Sequence, residues 1–172
     1  MEAMNIHHTL SVLVEDKPGV LARVSSLLAR RGFNIHSLAV GPSHEEGMSK
    51  MTIVVDAPEL EQVKKQLHKL VNVVKITELD PAQSIEREVI LVRVSAAAGR
   101  RSEVLEVASI FKAVTVDVGH NSICFLVSGE PAKINDFLEL VRPYGMIDLA
   151  KSGRIALARD TKGKQPRLRA VN

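Results

Sequence analysis

The order strand, helix, strand, strand, helix, strand recurs in each half of the chain and predicts an α+β protein of two tandem ferredoxin-like βαββαβ units. Three observations carry that expectation. Apolar residues alternate over runs of strand length, each half holds two amphipathic stripes at helical spacing, and turn residues separate them. The implied division is 1–80 for the first unit, 81–84 for a linker containing Pro81, 85–160 for the second unit, and 161–172 for a basic, disordered tail.

Each element has a local reason. Residues 8–15 alternate, with Leu10, Val12 and Val14 on one face. From Val20 the apolar positions Val20, Leu21, Val24, Leu27 and Leu28 fall at helical spacing, with Arg23, Arg30 and Arg31 outward. Pro18 suits a first helical turn, where its missing N–H costs nothing. Gly32 stands where helices commonly end. Residues 34–40 and 48–56 read as strands joined by the polar loop 41–47. Pro58 opens a helix with Leu60, Val63, Leu67, Leu70 and Val71 on its inner stripe, and 73–78 closes the unit. Both helices cover one sheet face, which leaves the other face to find a partner.

The second unit repeats the order. Residues 88–95 place Val89 and Leu91 on one side and Ile90, Val92 and Val94 on the other. Ser102 caps a helix facing inward through Val104, Val107, Ala108 and Phe111. Strands follow at 114–118 and 123–128. Pro131 then opens a helix with Ile134, Phe137, Leu138 and Val141 inward, and 146–149 is the last strand.

Composition narrows the function. With 172 residues and 45% hydrophobic content the chain can fill real cores, which excludes global disorder. Aromatics are 3% with no Trp, so those cores are aliphatic. The net charge of +3 is modest, and Lys162, Lys164, Arg167 and Arg169 concentrate the basic excess in a solvated end. The single Cys124 excludes an internal disulfide, fits a reducing compartment and reads as a buried, inert thiol. No apolar run is long enough to cross a bilayer, and the N-terminus lacks the apolar core of a signal peptide. The expectation is a cytoplasmic protein.

No motif nominates a catalytic centre. The six histidines show no metal-ligand spacing and no Cys pair supports them; His7 and His8 could bind a metal weakly but fit an exposed terminus better. Walker loop, dinucleotide fingerprint and nucleophile elbow are absent. Glu45 and Glu46 read as solvated loop charges. RNA-binding sheets of this topology stack bases on strand aromatics. Phe33 and Phe125 are too few and wrongly patterned for that.

The loaded segment is EDKPGVL, residues 15–21. Gly19 lets another group approach the backbone. The free N–H groups of the following turn, at the positive end of the helix dipole, suit a small anion, most naturally a carboxylate. A plain strand-to-helix turn fits the same residues equally well. Asn34, between the first helix and second strand, offers donors and an acceptor to an amino acid's polar end. It fits equally as a support of the αβ turn. The corresponding loop of the second unit, 96–101, has Gly99 but no Asp-x-Pro-Gly arrangement.

The runs LSVLVEDKPGVLARVSSLLARRGFNIHSLAVGPS, MSKMTIVV and QVKKQLHKLVNVVKITEL, with EREVILVRV and KSGRIALAR further on, resemble the small regulatory subunits of acetolactate synthase. Asp16-x-Pro18-Gly19-x-Leu21 resembles the ACT domain, an amino-acid-sensing βαββαβ module. Asn34-Ile35-x-Ser37-Leu38, Met51-Thr52 and Gln66-Leu67-His68-Lys69-Leu70 narrow the resemblance to this subunit. It implies a non-catalytic chain that activates the large subunit and confers feedback inhibition by valine in branched-chain amino-acid synthesis. Thiamine diphosphate, magnesium and FAD are then expected on the large subunit and none on this chain. The resemblance also implies a homodimer through the ACT domains, with valine at the seam. Carried onto this sequence, amides at Gly19, Val20 and Leu21 hold the valine carboxylate. Asp16 and Asn34, the latter from this or the partner subunit, reach the ammonium or the remaining oxygen, and Ile35 lines the apolar side. One departure is that relatives often carry Asn near Asp16, and an acidic residue there changes the pairing with the ligand ammonium. Exposed polar elements, the 41–47 loop among them, are candidates for the large-subunit contact. Two other readings fit the chain: a free-standing two-domain ACT regulator acting on a gene-control protein, and a structural adaptor without a ligand.

Overall fold

The structure, a computed structural model, describes residues 7–57, 59–97 and 99–160. The expectations for Pro58 as a helix opener and for the 161–172 tail lie outside these. The first unit runs β1 (His7–Glu15), α1 (Val20–Arg30), β2 (Asn34–Pro42), β3 (Met48–Asp56), α2 (Leu60–Leu67) and β4 (Val73–Leu79). The second runs β5 (Ser84–Ser95), α3 (Arg101–Ile110), β6 (Val114–Val118), β7 (Ser122–Gly129), α4 (Pro131–Val141), β8 (Met146–Lys151) and β9 (Ile155–Ala158). The sheets have orders β2-β3-β1-β4 and β6-β7-β5-β8, all antiparallel, with β9 paired to the first half of β5. This is the α+β, twice-repeated architecture the periodicity predicts.

The predicted inner faces form the cores. Leu10, Val12 and Val14 of β1 pack with Met51, Ile53 and Val55 of β3 under Val20, Val24 and Leu28 of α1 and Leu60, Val63 and Leu67 of α2. In the second unit Ile90, Val92 and Val94 meet Val104 and Ala108 of α3 and Ile134, Phe137, Leu138 and Val141 of α4. The end of α1 is a complete Schellman motif. Gly32, at φ +74, donates to Ala29 O at 3.0 Å, and Phe33 N donates to Leu28 O at 3.1 Å.

Several local expectations fail for physical reasons. Pro18 precedes the helix instead of opening it, because Gly19 at φ +83 turns the chain first and is itself the N-cap. Leu21 stays 43% exposed, since the buried stripe of α1 is the narrower set Val20, Val24 and Leu28. α2 ends at Leu67, so Val71 falls in the following turn and is 94% exposed. Ser102 lies inside α3, whose N-cap is Arg100 with no side-chain cap. Cys124 is only half-buried. The linker is a single 3-10 turn, Pro81–Gln83, capped by Asp80, whose carboxylate accepts from Ala82 N at 2.9 Å. β5 begins at Ser84, four residues before the expected strand start, because β9 returns to pair with it.

That return supplies the partner for the helix-free face of the first sheet. Ser37, Val54, Thr9 and Leu79 form one row across β2, β3, β1 and β4 on that face. Val54 is wholly buried there, and Thr9 and Leu79 nearly so. Thr9 Oγ1 donates to Glu86 at 2.8 Å, and the Arg154 amide donates to Ser37 Oγ at 2.8 Å. The Arg154 guanidinium bonds Glu86 at 3.1 Å and lies 3.8 Å from Glu88, which Lys151 also approaches at 3.5 Å. Gly153, at φ +79, lets the chain pass so close that a Cβ would stand 2.6 Å from Leu38 O. The outward face of the same ribbon carries exposed Ile85, Ile155 and Leu157.

Two substitutions at this junction, and one at a surface pair for contrast, test its contribution to stability. Arg154→Met leaves Glu86 and Glu88 without their shared cation and should cost about 3 kcal/mol in urea unfolding. Arg93→Met, which breaks the solvent-open Arg93–Asp117 pair at 2.8 Å, should cost far less than the Arg154 substitution. Gly153→Ala should cost about 1–3 kcal/mol through its backbone conformation and the Leu38 clash.

Candidate functional site

The turn between β1 and α1 is held from both sides. The Asp16 amide donates to Gly47 O at 2.8 Å, Lys17 N to Glu15 O at 3.0 Å and Val20 N to Lys17 O at 3.3 Å. The Val20 amide is therefore engaged within the turn, contrary to its expected place among the free donors. Among the described residues, the Gly19, Leu21 and Ala22 amides have no protein acceptor, as the first turn of a helix requires. Space is open where a Cβ at Gly19 would point. Three donors around a positive-φ glycine at a helix start make an anion-accepting concavity. The Asp16 side chain is exposed beside it.

A residue that sequence reasoning missed braces this turn. Asn72 Nδ2 donates to Glu15 Oε2 at 2.6 Å, and Asn72 Oδ1 accepts from Arg23 Nη1 at 2.8 Å. Glu15 N also donates to Asn72 O at 2.9 Å. Asn72 thus ties the end of β1 to the first turns of α1. No local spacing announces it, because it lies 57 residues from Glu15 in sequence. The Asn72 hydrogen bond, then that of Lys17, holds the Glu15 carboxyl below the usual carboxylate range.

Asn34 stands elsewhere. Both Asn34 and His7 are register partners of Asp56, whereas Glu15 pairs with Met48 at the other end of the same strand. Gly19 and Asn34 are thus separated along the sheet by nearly the length of β1, about 26 Å for eight strand steps. One chain does not bring them together. Asn34 Nδ2 lies 3.5 Å from Asp56 Oδ2, and Ile35 packs, half-buried, against the core.

At that far end the structure also assembles a group with no signature in sequence. His7 bonds Asp56 through Nδ1, and the His36 ring lies 4.6 Å from the His7 ring. The three come from three strands, which explains why a search for ligand spacing along the chain passes over them.

The Glu15–Asn72 clamp has a pH consequence. Because the folded carboxyl is depressed, its contribution to stability is present above the unfolded pKa and is lost as pH falls through the folded value. A carboxyl-detected NMR titration should give a Glu15 midpoint below that of an unrestrained glutamate, and Asn72→Ala should move it back up. An unmoved midpoint would remove Asn72 as the cause.

Comparison with known proteins places this architecture. Residues 10–75 match the family model described as the AHAS small subunit-like ACT domain, and residues 87–160 match that of the small subunit of acetolactate synthase. The acetolactate synthase small subunit of Mycolicibacterium smegmatis is 50% identical over 159 residues, covering 91% of this chain and 93% of that one. A probable acetolactate synthase small subunit of Archaeoglobus fulgidus is 46% identical, covering 90% and 98%. The crystal structure of the small subunit from Thermotoga maritima superposes with a TM-score of 0.83 at 35% identity, covering 90% of this chain and 98% of that one. With both halves matched by these family models and about nine-tenths of its length shared with these proteins, this chain belongs to the family of acetolactate synthase small subunits.

Proposed function

We propose that the chain is a regulatory subunit that activates the thiamine-diphosphate-dependent large subunit and transmits inhibition by valine. In this reading the carbon–carbon bond-forming chemistry belongs to the large subunit, together with thiamine diphosphate, magnesium and FAD. This chain contributes the sensor. The open amides of Gly19 and Leu21, joined by that of Ala22, receive the valine carboxylate. Asn34 and Asp16 meet its polar remainder, and Ile35 borders the isopropyl group.

The observation that carries the reading is the opposite placement of Gly19 and Asn34. A single valine cannot touch both within one protomer. β2 is the sheet's edge strand, with one row of backbone groups unpaired. Two copies meeting antiparallel along β2 would bring the partner's Asn34 end beside this chain's Gly19 end. Each seam would then hold two equivalent sites.

Magnitudes set what such a site must do. A carboxylate at a helix N-terminus gains ~0.3–1 kcal/mol, and up to ~2 when partly buried, so further contacts are needed for useful affinity. Coupling of about 1–3 kcal/mol to the large subunit would give substantial inhibition. Valine must favour the inhibited arrangement, or it shifts nothing. Discrimination against leucine, one methylene larger, stays within about 1–3 kcal/mol.

Reconstitution with the large subunit tests this directly. Gly19→Asp places bulk and negative charge against the carboxylate, so acetolactate formation should stay activated and lose its response to valine. Retained valine sensitivity would show that the pocket is elsewhere. A complementation experiment tests the shared seam. Gly19→Asp and Asn34→Ala chains, each unresponsive alone, should recover one valine site in each mixed dimer, about a quarter of all sites on random pairing, since one seam site then has both residues intact. No recovery would place the site within one protomer.

A further inference from the structure

We infer that His7, His36 and Asp56 form a binding site for one divalent transition-metal cation of the zinc class at the Asn34 end of the first sheet. The residue types are those a borderline cation takes, two imidazoles and one carboxylate. They come from β1, β2 and β3, and their ligand atoms all lie within 4.8 Å of one another. A tetrahedral zinc ion with bonds near 2.1 Å needs donors about 3.4 Å apart. Rotation of the two exposed imidazoles closes that difference without moving a strand.

Backbone geometry places the third ligand. The β2–β3 register shifts between Ile35 and Ser37, so His36 is the extra residue of a bulge. Ile35 and Ser37 keep to the inward and outward faces, while the bulge turns His36 toward the strand end and lays its ring beside His7 at a tilt of 35°. Asp56 already serves His7, and among the described residues the His36 ring has no hydrogen-bond partner. A cation would engage both imidazoles through one carboxylate and leave a further position for water. Asn34 Nδ2, 3.5 Å from the other Asp56 oxygen, provides the outer hydrogen bond that orients a ligating carboxylate. The site stands independently of valine recognition, although Asn34 would belong to both.

The test is isothermal titration calorimetry of the untagged full-length chain with zinc chloride, supported by NMR of the histidine ring protons. One zinc per chain should bind, with His7 and His36 resonances moving together. Asp56→Asn and His36→Ala should each weaken binding by at least about tenfold. His120→Ala, in the second unit's β6–β7 turn, should leave it unchanged. His36→Gln, which keeps size and polarity, repeats the test if the alanine variant loses its fold by circular dichroism. Absence of saturable binding below about 1 mM zinc overturns the site and leaves a plain His7–Asp56 pair. Binding that survives both Asp56→Asn and the His36 substitution overturns it equally.

Discussion

The structure depends on one act of burial, the covering of the first sheet's polar face by the chain's own C-terminal return. Thr9 loses water there and Ser37 does so in part, and both find partners. The return provides them as the Glu86 carboxylate and the Arg154 amide, and Glu86 is in turn tied to the Arg154 guanidinium. Hydrogen bonds to charged groups contribute about 1.5–3 kcal/mol each. A few such contacts are therefore comparable to the whole stability of a small domain, on the order of 5–15 kcal/mol. The two repeats are consequently joined by contacts on β1 and β2, well beyond the short turn at Pro81.

This arrangement bears on regulation. β1 leads directly into the Gly19 turn, and β2 is the edge strand that begins at Asn34. Both strands also meet the Arg154–Glu86 cluster. A rearrangement along the β2 edge would be felt at Ser37 and through it at the second sheet. A physical link of this kind is what coupling between an effector seam and a distant partner surface needs. Asn72 ties Glu15 to Arg23 on either side of the Gly19 turn, which, in the proposed reading, would limit the reorganisation that an entering carboxylate meets.

Much of the fold was legible in the chain because its elements obey strong local rules. Leu10, Val12 and Val14 alternate, Gly32 closes a Schellman motif, and Pro131 sits at the start of its helix. The errors lie where local rules compete. Gly19's positive φ displaced Pro18 from the helix, Ser102 matched a cap that Arg100 occupies, and Leu21 kept the helical spacing on the solvent side. β9 was passed over because a four-residue strand carries little periodicity and exists only through pairing with Ser84–Arg87.

Sequence by itself determined the two sheets apart from β9, their helices, the glycine turn before α1 and the family resemblance that the comparisons uphold. These rest on side-chain period, turn chemistry and motifs, all written over short stretches. Tertiary structure decided what faces what. It set the covering of Thr9 by Glu86, the bracing of Glu15 by Asn72, the distance between Gly19 and Asn34, and the meeting of His7, His36 and Asp56. The reason is strand register. It brings together residues tens of positions apart, and no local pattern encodes which ones will meet.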